Sequence, residues 1–205
     1  APITLRAQDR GQVQAQAKTI EAQMHALGEP RSRCSLGANI HDGPVVIRTN
    51  ATTLLKTGDR LVLLNQITLT GKSPEDVIAQ LREIAPDARV PVTVDRQGEI
   101  IDLDLPCEDA RLTIEPMMNA IGFAVKGKFD DCVNVISKMT DIDTRTAMMK
   151  VQCAAVSRNA KKYDVPSLLS QAMKMAIEDA RFSPTLRPEV VKQLRNLQGA
   201  ITESL

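Results

Sequence analysis

An α+β fold, a small strand-built module joined to a helical part, is predicted by two changes of period along the 205 residues. Between Cys34 and Leu105 apolar residues alternate or come in short runs bounded by Gly, Pro and Asn, which is the pattern of strands. Before Pro30 and after Pro106 they recur every three or four residues, which is the pattern of helices. The length suits one large domain or two small ones; a two-part chain is expected, divided into an N-terminal helix at 1–30, a strand module at 31–107 and an all-α domain at 108–205.

Composition narrows the function classes. A net charge of +1, no Trp, one Tyr and three Phe leave no basic groove and no platform on which bases could stack, so no nucleic-acid partner is expected. No apolar run approaches the roughly 20 residues that cross a bilayer, and no Arg/Lys-then-apolar signal segment is present, so a soluble chain without a membrane span is expected. The chain begins at Ala1 and not at Met, which fits a signal peptide or anchor already removed, although an artificial start would look the same.

The first element is an amphipathic helix over Asp9 to Leu27, with Val13, Ala17, Ile20, Met24 and Leu27 on one face. Gly28 and Pro30 stop it. Two and a half heptads are short for a coiled coil, so this face is expected to pack on the chain's own helices. Strands follow at Pro44 to Thr49 and, after the Gly58-Asp59 turn, at Leu61 to Leu64. A turn at Asn65-Gln66 leads to a short strand over Ile67 to Leu69. The single inner helix runs from Ser73 to Ile84, with Ser73 as cap and Pro74 at its first position. Val90, Val92 and Val94, then Ile101, Leu103 and Leu105, alternate on either side of Gln97-Gly98 and predict a hairpin with one buried face.

Beyond Pro106 helices are predicted at Pro116 to Lys126, Lys128 to Met139, Thr144 to Lys161, Pro166 to Arg181 and Pro188 to Ile201, with each Pro at a first position. Short connections imply antiparallel neighbours. Asp130-Asp131, and Asp141 with Asp143, read as helix-start caps and not as a metal or acid/base pair. Met117, Met118, Met139, Met148, Met149, Met173 and Met175 either fill a core with almost no aromatics or form an exposed adaptable cluster.

Taken together, the Leu55 to Leu81 stretch, the loop Ser35-Leu36-Gly37-Ala38-Asn39-Ile40 before it and the closing hairpin after it resemble a PDZ domain over about Arg33 to Cys107. No strand-like segment precedes Ser35, and the final strand Glu99 to Leu105 can take that place in the sheet, so the resemblance is to the circularly permuted bacterial type. It implies that a peptide adds a strand beside the helix while consecutive backbone N–H groups hold its terminal carboxylate. The carboxylate donors implied are the N–H groups of Leu36, Gly37 and Ala38. The side-chain pocket implied is lined by Leu36, Ala38, Ile40, Pro74, Ile78 and Leu81. Ala38 stands where the family usually has a larger apolar residue, and Pro74 where many members have a ligand-binding His. Apolar C-terminal residues are therefore expected to be preferred, with little selection two positions back. Gln66 stands where Gly is usual after Asn65, at an expected cost of about 1 kcal/mol if that turn needs positive φ.

Cys132 and Cys153 lie at similar distances from the Asp141 to Asp143 turn, so in an antiparallel helix pair they lie at the same height and can face each other. In the permuted sheet that the resemblance implies, Cys34 and Cys107 also meet. Two disulfides, Cys34–Cys107 and Cys132–Cys153, and an oxidising compartment are one reading. Four reduced, buried cysteines are the other. Metal binding is not expected, since there is no C-x-x-C and the only histidines are His25 and His41. No cofactor is implied.

Bacterial PDZ domains often accompany serine proteases, but neither histidine has a Ser in a Gly-rich setting, and Ser137-Lys138 reads as a helical surface pair. A non-enzymatic module that binds peptide C-termini in a bacterial periplasm, or outside the cell, is the first expectation. The alternatives are an assembly subunit of an envelope or secretion complex with an idle groove, and a regulator of a separate protease.

Overall fold

The computed structural model describes residues 7–183 together with Pro188, Lys192 and Asn196. The fold is α+β. It divides into a helical unit, Ala1–Pro30 with Leu112–Ile177 and Pro188–Leu205, and a strand-rich unit, Arg31–Arg111 with Glu178–Arg187. The N-terminal helix thus belongs with the helical unit, and a short piece of the C-terminal half belongs with the strands.

In the helical unit, α1 (Ala7–Ala26) buries Val13, Ala17 and Met24. Leu27 falls past the helix end and is exposed, because Gly28 turns the chain with φ +80°. The other helices are α3 (Arg111–Val125), α4 (Phe129–Ser137), α5 (Thr144–Val156) and α6 (Val165–Phe182), with a 3-10 turn at Ala160–Lys162. Side chains of α1 satisfy carbonyls that helix ends leave without partners. Arg10 Nε donates to Val156 O at 2.8 Å, and Gln14 Nε2 donates to Val125 O at 3.2 Å. The stripe therefore packs on the chain's own helices, as its length predicts.

Three expectations need correction here. Pro116 lies inside α3 and does not begin it. A Pro there cannot bond the carbonyl of Leu112, but Leu112 is 77% exposed, so water can take that carbonyl. Asp130 is not a cap. It ties α4 to the segment after α5, accepting from Ser157 Oγ (2.6 Å), Tyr163 Oη (2.6 Å) and Asn159 Nδ2 (2.7 Å). The bonds from Ser157 and Tyr163 hold its carboxyl below the usual carboxylate range. The helix expected over Thr144 to Lys161 ends at Val156, where Ser157 turns to extended backbone. Asp143 does cap α5, accepting from Thr146 N at 2.7 Å. None of the seven methionines is exposed, which favours core filling. The helix expected over Pro188 to Ile201 lies largely outside the described residues, though Pro188, Lys192 and Asn196 are helical.

In the strand-rich unit the strands are β1 (Cys34–Ser35), β2 (Ala38–His41), β3 (Val45–Thr49), β4 (Arg60–Leu64), β5 (Ile67–Thr68), β6 (Arg89–Arg96), β7 (Glu99–Pro106) and β8 (Glu108–Asp109). The larger sheet runs β2-β3-β4-β6-β7, with β5 on β4, and a two-stranded ladder joins β1 to β8. The strand beside the start of the module is thus β8 and not β7, which pairs with β6 at the far end of the sheet. Between them α2 (Pro74–Arg82) packs Val77 and Leu81 into a core with Leu36, Val46, Leu61, Leu64, Val90, Val92 and Val94. Cys34 and Cys107 form a disulfide, with sulfurs 1.99 Å apart.

Asp59 anchors the turn into β4. Fully buried, it receives Arg96 Nε and Nη2, both at 2.8 Å, and Lys56 N at 2.8 Å. The Asn65-Gln66 turn has φ +49° and +69°, so Gln66 does sit in the left-handed region. Its side chain is exposed, so Gln66→Gly is expected to raise stability by about 0.5–1 kcal/mol, the strain relieved less the extra freedom of the unfolded chain. An unchanged or lowered urea midpoint would remove strain at this turn from the account.

Candidate peptide-binding edge

The loop that ends β1 is shaped by Gly37, which has φ +70°. A Cβ there would lie 2.8 Å from both amide atoms of Asn50, so space as well as backbone demands glycine. Asn50 is the hub of the site. Its N–H donates to Gly37 O at 2.8 Å. Its Oδ1 accepts from Thr52 N (3.1 Å), Thr52 Oγ1 (3.0 Å) and Thr53 N (3.1 Å), and its Nδ2 donates to Glu108 (3.2 Å). Sequence reasoning missed this residue. Asn50-Ala51-Thr52-Thr53, in which an Asn side chain can accept from the backbone two and three residues on, is a turn-forming pattern and the one local signal for it.

The Asn50-to-Gly37 bond also fixes the direction of the β2 backbone. In an antiparallel ladder, pairs that exchange hydrogen bonds alternate with pairs that do not. Gly37 bonds opposite Asn50, so Ala38, opposite Thr49, turns its N–H and C=O away from β3. Ile40 behaves alike, because its partner Val46 spends its N–H on Asp59 O and its C=O on Gly58 N. Since β2 ends its sheet among the described residues, two alternate residues present unpaired backbone to an open edge.

The remaining expected groups are placed as follows. Gly37 N–H donates to Ser35 Oγ at 3.3 Å, a long bond, so this donor is partly engaged within the loop. Leu36 and Leu81, each 4% exposed, give their surface to the core, while Ala38, Ile40, Pro74 and Ile78 are half-buried. The end of α2 is tied to β1 by Cys34 N–H donating to Ile84 O at 3.3 Å. At its start Ser73 and Asp76 cap each other, Asp76 N to Ser73 Oγ at 3.2 Å and Ser73 N to Asp76 Oδ2 at 3.0 Å. The Ser73 backbone and hydroxyl hold the Asp76 carboxyl below its usual range. Arg33 places a cation beside the loop, its Nη1 donating to Cys34 O at 3.3 Å.

The same hairpin also receives the end of α6, at Arg48 opposite Asn39 and at His41 near its turn. Arg48 pairs with Asp179 at 2.9 Å and Glu178 at 3.8 Å, Ser183 Oγ lies 2.7 Å from His41 Nδ1, and Phe182 packs near Gly58. No local pattern marks these partners, which stand 131 and 142 residues apart. His41 thus has a serine, and Asp42 lies 3.7 Å from it, but both sit at Nδ1. A proton relay needs its serine and carboxylate on opposite ring nitrogens. No group of three or more potential metal ligands occurs among the described residues, and no helix among them is long and apolar enough to cross a membrane.

No protein-family model matches the chain, and no curated protein matches it. Among solved structures it is similar to the serine endoprotease from Yersinia pestis, at 19% identity and a TM-score of 0.34. That match covers 46% of this chain and 36% of the protease chain, so it spans about a third of the protease's length.

Proposed function

We propose that the strand-rich unit is a non-catalytic PDZ-like module that binds peptide C-termini, with Ala38 and Ile40 adding the peptide as a strand and the Leu36 to Ala38 loop holding its carboxylate. The observation that carries this reading is the open edge of β2, where Ala38 and Ile40 turn their backbone groups away from β3. Backbone addition supplies affinity, and alternate side chains supply selection. Ala38, Ile40, Pro74 and Ile78 offer a mainly aliphatic wall with no side-chain donor, which suits an apolar last residue. The Cys34–Cys107 bridge favours an oxidising compartment such as a periplasm.

A second reading is an assembly subunit whose edge is idle. The burial of Leu36 and Leu81 favours it, since both are committed to the core without a ligand.

A library of ten-residue peptides with free C-termini, measured by fluorescence anisotropy, separates the two. Binders ending in Val, Leu or Ile are expected, and amidating their C-termini is expected to weaken them about 10- to 100-fold, the loss of charge-assisted bonds. Binders that tolerate amidation, or a library with none, would overturn the carboxylate site.

A further inference from the structure

The helical unit holds two thiols that the peptide-binding reading does not use. Cys132 on α4 and Cys153 on α5 are free, both 0% exposed, and their sulfurs lie 2.7 Å apart. The sequence spacing lets them face each other, and they do, as two thiols rather than a closed bridge. Two sulfurs at that distance need only a small approach to reach the bonded separation of about 2.05 Å. The same chain already carries one disulfide, so an environment that oxidises Cys34 and Cys107 is available to this pair as well.

We propose that Cys132 and Cys153 are a second disulfide site, one that closes while the helical unit is still open and not after it has folded. The chemistry is thiol–disulfide exchange with a small or protein disulfide as oxidant. The thiolate of one cysteine attacks the oxidant's S–S bond, releasing one thiolate and leaving a mixed disulfide. The second cysteine then attacks that mixed disulfide, forming the Cys132–Cys153 bond and releasing the other thiolate. The two protons lost by the cysteines end on the two thiols released, and the oxidant is reduced by two electrons.

Burial sets the order of events. With both cysteines fully buried, on helices whose Val133, Ile136, Ala154 and Val156 are buried too, an oxidant reaches neither thiol in the folded unit. Exchange on folded protein therefore runs at the rate of local opening. A chain folded under reducing conditions keeps the dithiol, and a chain folded with oxidant closes it.

The test uses the full chain and oxidised glutathione as the probe. Protein unfolded and reduced, then refolded in a glutathione redox buffer, is expected to give a non-reduced digest in which the Cys132 and Cys153 peptides are linked. Its mass should lie about 2 Da below that of protein carrying the Cys34–Cys107 bridge alone. The same glutathione added to folded dithiol protein should react at least about 10-fold more slowly. Closing a loop of 21 residues should raise the Tm of the helical unit by about 10 °C or more. In a Cys132→Ala/Cys153→Ala variant oxidant closes only Cys34–Cys107, so the rise in Tm between refolding without and with oxidant should be smaller than in the unaltered chain by the share that the second bridge supplies. If that variant does not fold, the linked-peptide assay on the unaltered chain still decides. Both cysteines remaining alkylatable in denaturant after oxidative refolding would overturn the site, and equally fast oxidation of the folded protein would overturn the order.

Discussion

Asp59→Ala is expected to lower the stability of the strand-rich unit by about 3–5 kcal/mol, read as a fall in the urea midpoint and in amide protection of β4 and β6. The magnitude follows from what is left behind. Arg96 would keep its charge in a site where its side chain is 22% exposed, and the Lys56 N–H would lose its acceptor. Breaking a buried pair from one side costs far more than the pair is worth as a whole. The pH dependence follows in sign. Burial alone would push the Asp59 carboxyl up, but bonds from Arg96 and Lys56 N–H outweigh it and hold the carboxyl below 3.8. A carboxyl whose folded pKa is depressed stabilises above its unfolded value, and that contribution is lost as pH falls through the folded value. The gap between wild type and Asp59→Ala is thus full at pH 7 and narrows below about pH 4. A gap under about 1 kcal/mol at pH 7 would show that the pair does not hold this turn.

Gly37→Ala is expected to abolish peptide binding, raising Kd by about 100-fold or more, and to cost about 2–3 kcal/mol of stability. The left-handed backbone alone costs a non-glycine residue about 1–2 kcal/mol. The rest comes from Asn50, which must move away from a Cβ at 2.8 Å although its amide serves Thr52, Thr53 and Glu108. Displacing the Asn50 side chain also loosens the loop that its bonds to Thr52, Thr53 and Glu108 hold beside Gly37. Titration of a binder from the free-carboxylate library, with Asn50→Ala and the double variant as controls, separates the clash from the backbone strain. Binding by Gly37→Ala equal to wild type would mean that this loop does not hold the carboxylate.

Much of the strand-rich unit could be read from its residues, because its signals are local. Ser73, Pro74 and Asp76 spell a helix start within four positions, and Gln97-Gly98 spells a hairpin turn, with φ +54° and +88° in the structure. Strand β8 could not be read, since two residues carry no period. Pro116 misled because the rule placing Pro at helix starts describes a preference, and Leu112, whose carbonyl loses its partner, is an exposed residue near the start of the helix, where water can satisfy it. At the site, Gly37 was legible from its type, whereas Asn50 was not, because its role depends on Glu108 and Gly37 arriving from distant strands. The Arg48–Asp179 and His41–Ser183 partners were invisible for the same reason. Charged and polar residues have no periodic signature, and their partners are chosen by tertiary packing.

The Cys34–Cys107 bridge has a consequence for how this protein survives cutting. It joins positions 73 residues apart whose Cα atoms lie 4.9 Å from each other, so nearly the whole candidate peptide-binding region is a covalent ring. A protease that nicks one exposed turn inside the ring, such as the one at Gln97-Gly98, opens it without releasing a fragment. Both pieces remain tethered at the base, where the cut ends can find their places in the sheet again.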